Sequence, residues 1–473
     1  MARPLRWSAV LVLLGVLGAV GTALVLQEQG VTPRALAPYV EKRSSGHNAV
    51  IEGSGRWSAA TLMRLDRGEY APATPLIGGL GARVKAVPAP EAGTVRMVAN
   101  SDEARRAIGA AEAGDIITFL PGVYRFERTP LAATRPGTEL AAITVRAAVP
   151  GSVTLEFDLT EGFVVSAPHW HVENLTIRGV CRVQANCEHA FHVVGAAVDF
   201  RARNNTIVDF NAHFKINGSG GRFPDQGRLE DNTLRNDSVR DTVNPVTPID
   251  LVAASHWRIR RNKISDFVKG SGDRISYGGF AKGAGSDNIF EQNLVVCEAR
   301  LRGLPGQRVG LSLGGGGSGK EYCRDKRCIV EQEQSEIRAN LIASCSDDGI
   351  YLNNAASSKI THNTVIDTGG IDVRFPASSA DAEGNLVDGD IRARNGGELR
   401  LTDNRTTPIA LLYGGYHPVR QLFMNAALFD FAWNGSPPKR TRGSAFVPDL
   451  CGAVRGTTLA YGAFDDIAAC RDQ

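Results

Sequence analysis

Residues Trp257–Phe267 read WRIRRNKISDF. Trp257 and Ile259 alternate with Arg258 and Arg260, a two-residue period that puts apolar side chains on one face of a strand and cations on the other. Asn262 interrupts the alternation and Ile264 resumes it. The same text returns as NIFEQNLVVCE at 288–298 and as KITHNTVIDT at 359–368. An Asn followed two residues later by Ile, Leu or Val stands at Asn205, Asn232, Asn262, Asn293, Asn340, Asn363 and Asn385, with looser copies at Asn174 and Asn404. The intervals run from 19 to 31 residues, apart from one of 47 between Asn293 and Asn340.

One such strand cannot bury its apolar face alone, whereas units of this length stacked as coils can. The recurring Asn then has a physical role, because at a turn its amide bonds to its counterparts or to backbone in the coils above and below. Leucine-rich repeats have similar periods, but their denser Leu pattern is missing. The 52 glycines and 7% aromatics suit many short strands and tight turns. The expected fold is therefore all-β, a right-handed parallel β-helix over 96–410 with an N-terminal capping helix. Ser101 is its expected N-cap, with Asp102 and Glu103 in the first turn and Ala104, Ala107, Ile108 and Ala111 on one face. Residues 27–95 carry no repeat and read as a linker with loose elaboration. Residues 411–473 read as a cover for the last coil.

The net charge of +3 excludes a dedicated nucleic-acid binder with a basic surface. Ser8–Leu26 lacks charge and follows Arg3 and Arg6, which marks residues 1–26 as an export segment. Two readings stay open: an uncleaved membrane anchor, or a signal peptide cut after small residues such as Gly21 and Ala23. Either places the chain in the periplasm or outside the cell, where eight cysteines favour disulfides. The spacing suggests Cys181 with Cys187, Cys323 with Cys328 and Cys451 with Cys470, leaving Cys297 with Cys345. This is one of many connectivities.

The run GDIITFLPGVYRF at 114–126, followed by AAITVRAAVPGSVTLEF at 141–157 and HWHVENLTIRG at 169–179, resembles the opening coils of the polysaccharide lyases typified by chondroitinase B and the β-helical alginate lyases. The resemblance covers about 95–400 and implies β-elimination on a uronate-containing polysaccharide. It also implies a Lys and an Arg on adjacent coils beside calcium held by acidic residues. GGFAKGAGSDNIFEQN at 278–293 resembles the lysine-bearing segment and puts Lys282 in the base position. RVGLSLGGGG at 308–317 offers Ser312 or Gly314 in the arginine column, with Arg308 upstream, and Ile275 and Tyr277 stand where paired acids are expected. Calcium therefore stays open as a cofactor, without an assigned ligand set.

Strand alternation points one set of side chains outward together. In GIYLNN, Tyr351 and Asn353 face out around Leu352. Phe280 and Lys282 do so around Ala281, and Asp372 and Arg374 around Val373. Lys215 and Asp250 join from earlier coils and Arg308 from the coil after Lys282. The ladder Lys215, Lys282, Arg308 and Arg374 suits a polyanionic sugar chain. β-Elimination needs a uronate carboxylate neutralised, a base for the C5 proton and an acid for the leaving oxygen. Arg308 or Arg374 would neutralise, Lys282 would be the base and Tyr277 would exchange a proton nearby. Lys215, Asp250, Phe280, Asn353 and Arg374 would bind substrate.

Asp347 and Asp348 invite a hydrolase reading, but adjacent strand residues point to opposite faces, so Asp-Gly turn chemistry is the simpler account. The GGGGSG run at 314–319 lacks a phosphate-loop ending and reads as a surface loop pinned by Cys323 and Cys328. His169, His171, His189 and His192 have no diagnostic metal spacing. The expectation is thus an envelope-associated enzyme acting on an acidic polysaccharide by β-elimination. Its alternatives are a C5 epimerase on the same polymers and a non-catalytic polysaccharide-binding or structural β-helix.

Overall fold

The computed structural model describes residues 18, 20–22, 24–68, 78–315, 318–441, 443 and 448–470. Most of the apolar run Ser8–Leu26 lies outside the described residues, and among those described no helix is long and apolar enough to cross a membrane.

The chain winds as a right-handed parallel β-helix built of three parallel sheets of 12, 11 and 10 strands. Each coil contributes one strand to each sheet, as in Arg201–Arg203, Thr206–Val208 and Ala212–Asn217. Period-two alternation aims one side chain inward at each register position, so like stacks on like. Ile207, Leu234, Ile264, Val295, Ile342 and Val365 form one such column. Phe163, Phe191 and Phe214 stack at centroid distances of 4.8 and 5.1 Å. The core is thus a continuous column rather than a globule, with each coil burying its neighbours.

The Asn repeat lies at the corner between the twelve- and eleven-stranded sheets. From Asn205 to Asn404 each amide donates to the Oδ1 of the next, at 2.9 to 3.1 Å, in one unbroken ladder. The residue before each ladder Asn holds a left-handed φ, from Asn204 at 59° to Asp403 at 49°, which lets the corner turn within two residues. Asn174 is one position off. Leu175 occupies the ladder position and its N–H donates to Asn205 Oδ1, while Asn174 accepts from Asn204 on the outer side of the corner.

Asn293 is fully buried, accepts from the N–H and amide of Asn262, and donates to Ile259 O and Asn340 Oδ1. Asn293→Ala leaves the Asn262 N–H without a partner and removes the amide that donates to Ile259 O and Asn340 Oδ1 in a dry corner, an expected loss of about 2–5 kcal/mol in denaturant unfolding. Asn404→Ala, at the half-buried end of the ladder, should cost clearly less because water reaches its partners.

Helix Ser101–Gly109 closes the first coil, burying Ala104, Ile108 and the following Ala111. Its N-cap is Asn100, not Ser101. Asn100 accepts from Glu103 N at 2.9 Å, and Glu103 reaches back to Ala99 N at 2.8 Å. A carboxylate three residues after the cap favours this register. The four disulfides pair as the spacing suggested: Cys181–Cys187, Cys297–Cys345, Cys323–Cys328 and Cys451–Cys470. They suit an oxidising compartment.

Two terminal segments depart from expectation. Residues 27–95 contain helices Pro33–Ser44 and Ala49–Arg67, packed together and docked on the solenoid flank rather than loosely linked to it. Arg34 pairs with Asp66 and Asp367 and donates to Cys345 O, while Arg67 reaches Asp367. The C-terminal segment covers a flank instead of the last coil. Phe423, Phe431, Tyr461 and Phe464 bury Leu294, Leu341, Ile366 and Leu386, outward residues of the eleven-stranded sheet. The last-coil strand Glu398–Thr402 stays largely exposed.

Candidate active site

The outer face of the ten-stranded sheet gathers most of the candidate side chains. Its register aligns His192, Lys215, Asp250, Phe280, Ser312, Tyr351, Asp372 and Arg392 in one column, about 4.8 Å apart. A second column, two residues along, aligns Asn217, Val252 and Lys282. The outward placement of Lys215, Asp250, Phe280, Lys282, Asn353 and Arg374 is as alternation implied. They do not share one groove, because an apolar ridge of Phe223, Val252, Phe280 and Tyr277 divides the face.

On one side of the ridge lies a cavity of about 460 Å³ lined by His189, His192, Lys215, Asn217, Lys282, Tyr322 and Lys326, among others. The Lys282 ammonium sits 4.4 Å over the Phe280 ring. Among the described residues it has no ion-pair or hydrogen-bond partner. Lys215 is tied to Asp250 Oδ2 at 2.8 Å. Burial lowers the Lys282 proton affinity, and Lys215 adds to this although the Asp250 and Glu331 charges oppose it. The disulfide-pinned loop folds over this cavity instead of projecting into solvent. Arg324 anchors it, bonding Asp225 at 2.8 and 2.9 Å and stacking on Phe223. Gly314 and Gly315 serve close approach: Gly314 takes φ 71° against Asn353 O, and a Cβ on Gly315 would come within 2.6 Å of Lys282 Cδ. Tyr322 and Lys326 were missed in sequence, and their signal was the 47-residue interval.

Beyond the ridge is a second cavity of about 860 Å³, walled by the N-terminal helices and by Tyr277, Asp347, Asp348, Tyr351, Arg374, Arg392 and Arg394. Tyr277 therefore stands apart from Lys282, and burial pushes its phenol up to about 12. Asn353 donates to the Tyr351 hydroxyl at 3.2 Å, and Arg374 Nε donates to Asn395 at 2.9 Å. Arg308 overturns its outward placement. Its side chain is 1% exposed and pairs with the fully buried Glu298 at 2.7 Å. It also donates to Pro305 O and Leu304 O, so the guanidinium is consumed internally.

Asp347 and Asp348 correct the opposite-face argument. They sit in a bend ahead of strand Ile350–Asn353, where alternation does not apply, and both line the larger cavity. Burial, and then the charge of Asp347, push Asp348 up to about 8, and burial raises Asp347 as well. The folded protein therefore holds a proton that the unfolded chain releases above about pH 4. Stability contributed by this group is present at low pH and declines as pH rises towards 8. Asp348→Asn, which also gives up the ion pair with Arg392 at 3.2 Å, should flatten that decline, as read from the slope of melting temperature against pH for both proteins.

Compared by sequence, the chain matches no family model and no curated protein. Compared by structure, it is similar to a pectate lyase, Pel9A, with a TM-score of 0.53 and 14% identity over 80% of this chain and 97% of that one. The likeness is one of fold. An alginate lyase from Paenibacillus sp. matches more weakly, with a TM-score of 0.38 and 13% identity over 66% of this chain and 99% of that one.

Calcium, raised by the resemblance, takes six to eight oxygen ligands. Among the described residues that line the cavity of Lys282, Glu321 supplies one carboxylate, and the neighbouring Asp250 is already bonded to Lys215. Among the described residues one group brings three metal-capable side chains together, Glu161, His189 and His192. Its two imidazoles and one carboxylate do not fit calcium.

Proposed function

We propose that this protein is an exported polysaccharide lyase that cleaves a uronate-containing acidic polysaccharide by β-elimination, with Lys282 as the base. The observation that carries the reading is the Lys282 amine. It lies on Phe280 in a cavity, without an acidic partner among the described residues, and burial favours its neutral form. A base that abstracts the C5 proton must be neutral at the working pH, and a depressed pKa raises that fraction. Lys326 lines the same cavity and would answer the uronate carboxylate in place of Arg308, beside a Lys215 whose charge is shared with Asp250. The Tyr322 phenol, 67% exposed at the rim, would protonate the leaving oxygen. Arg374 and Asn353 would hold the chain farther along the face.

The test incubates the purified full chain with a panel of uronate polymers and follows the ultraviolet absorbance of the unsaturated product. A rise supports the lyase. Solvent deuterium at C5 without a rise identifies an epimerase, and binding without either leaves a binding module. Asp347 and Asp348, with raised proton affinities in the larger cavity, favour hydrolysis as a second reading. Its signature is new reducing ends without absorbance, lost in Asp348→Asn.

A further inference from the structure

The wall of the Lys282 cavity that carries His189 and His192 holds chemistry that β-elimination does not use. Strand Glu161–Val165 pairs with strand His189–Val194, with Glu161 directly opposite His189. Ideal alternation would point His189 and His192 to opposite faces. Ala190 and Phe191 are both fully buried, so the alternation slips by one residue there and both imidazoles reach the outer face. Their centroids lie 5.5 Å apart. Glu161 Oε1 lies 2.6 Å from His192 Nδ1 and 3.8 Å from His189 Nδ1.

We infer that Glu161, His189 and His192 form a binding site for a divalent transition-metal ion of the zinc class. One ligand atom from each residue lies within 4.8 Å of the others. Three ligands around a tetrahedral ion are about 3.4 Å apart, so small side-chain adjustments bring the group to coordination. Two further observations point to a cation. First, His189 Nδ1 is buried without a hydrogen-bond partner. Second, the tautomer of His192 is set by its neighbour. The Asn217 amide donates to Gly218 O at 3.1 Å, which turns its Oδ1 towards His192 Nε2 at 2.9 Å. A ring N–H therefore sits on Nε2, and in the metal-free chain Nδ1 donates a second proton to Glu161 Oε1 across 2.6 Å, a proton whose place a bound ion would take. A histidine whose far N–H is held by a carbonyl is also how metal-ligating imidazoles are oriented.

Two nitrogens and one carboxylate select zinc-like ions over calcium or magnesium. The three side chains are 15%, 22% and 32% exposed for His189, His192 and Glu161, so water or a substrate oxygen can complete the coordination. Because His189 and His192 line the Lys282 cavity, a bound ion would add positive charge where an acidic sugar would lie. The inference does not rest on the lyase reading, since metal content is measured without turnover.

The test strips the full chain in mild detergent with a chelator, then dialyses it against Zn²⁺, Mn²⁺ or Ca²⁺ and measures metal content and binding heat. One Zn²⁺ per chain is expected, with Ca²⁺ not retained. Asn217→Ala should weaken zinc by roughly 10–100-fold, as loss of an orienting hydrogen bond does, and His189→Ala and His192→Ala by more. Lys282→Met should keep its zinc, so the two readings fail separately. Failure of the wild-type chain to hold stoichiometric zinc, equal zinc in the His189→Ala/His192→Ala double variant, or preference for Ca²⁺ would each overturn the assignment. If the histidine variants fold poorly, the wild-type stoichiometry and the Asn217→Ala affinity still decide.

Discussion

Replacing Lys282 by methionine is expected to lower kcat on a uronate polymer by about 10³-fold or more, while leaving the protein folded. The loss follows from removing a general base, whose usual contribution is of that order. Methionine keeps the unbranched stem that packs against Gly315 and the Phe280 ring, so the cavity keeps its shape. It also removes a half-buried ammonium that has no ion pair among the described residues, so stability should hold or rise slightly. Lys282→Arg should be as inactive as the methionine variant, because a guanidinium does not deprotonate in the working range. In the wild type, kcat/KM should rise with pH through a value below the ordinary lysine range, in the direction that burial shifts Lys282. Initial rates from product absorbance, with melting curves for each variant, check this. Full activity in Lys282→Met would move the base elsewhere and turn attention to the Asp347 and Asp348 cavity.

Arg308→Met should act on stability instead. Glu298 is completely buried and takes its close ion pair from Arg308, at 2.7 and 2.8 Å, while Arg67 stands at 3.5 Å. Removing the guanidinium leaves the carboxylate with the Gly303 N–H at 3.0 Å and Arg67 at 3.5 Å, too little for a fully buried charge, and leaves Leu304 O and Pro305 O without their donor. The expected cost is about 3–5 kcal/mol in unfolding free energy. Arg308→Met/Glu298→Leu should recover much of it, because the stranded charge, more than the lost pair, drives the penalty. An Arg308 that neutralised a substrate carboxylate would behave otherwise: its variant would melt normally and show a raised KM. Denaturant titration of the two variants, with KM on the folded protein, separates these outcomes.

What could be read in the chain followed distance along it. The Asn column from Asn205 to Asn404, the inward stacks and the outward position of Phe280 and Lys282 depend on a period of two and a repeat of about one coil, and both are written locally. The disulfides were legible for a related reason: three of the four link cysteines fewer than twenty residues apart, and the fourth is the remainder. Where alternation breaks, the reading broke with it. Asp347 and Asp348 lie in a bend, so the opposite faces that counting assigned them do not hold, and His189 and His192, whose spacing alone was not diagnostic, are brought to one face by a slip at Ala190 and Phe191. A bend or a slip depends on packing against the neighbouring coils, which the segment itself does not announce.

By itself, therefore, the sequence determined the coil, the buried asparagine ladder and the side of the sheet on which most candidate side chains lie, because stacked strands translate a two-residue period directly into a face. Only the tertiary structure decided which charged groups on that face are free to act. Arg308, Lys215 and Lys282 look alike as a list of cations. Glu298 takes the first inward, Asp250 holds the second from 35 residues away, and the third is left over an aromatic ring beneath a loop anchored through Asp225, about a hundred residues upstream of it. Charge state and availability are set by partners brought close by winding, and a local pattern carries no information about them.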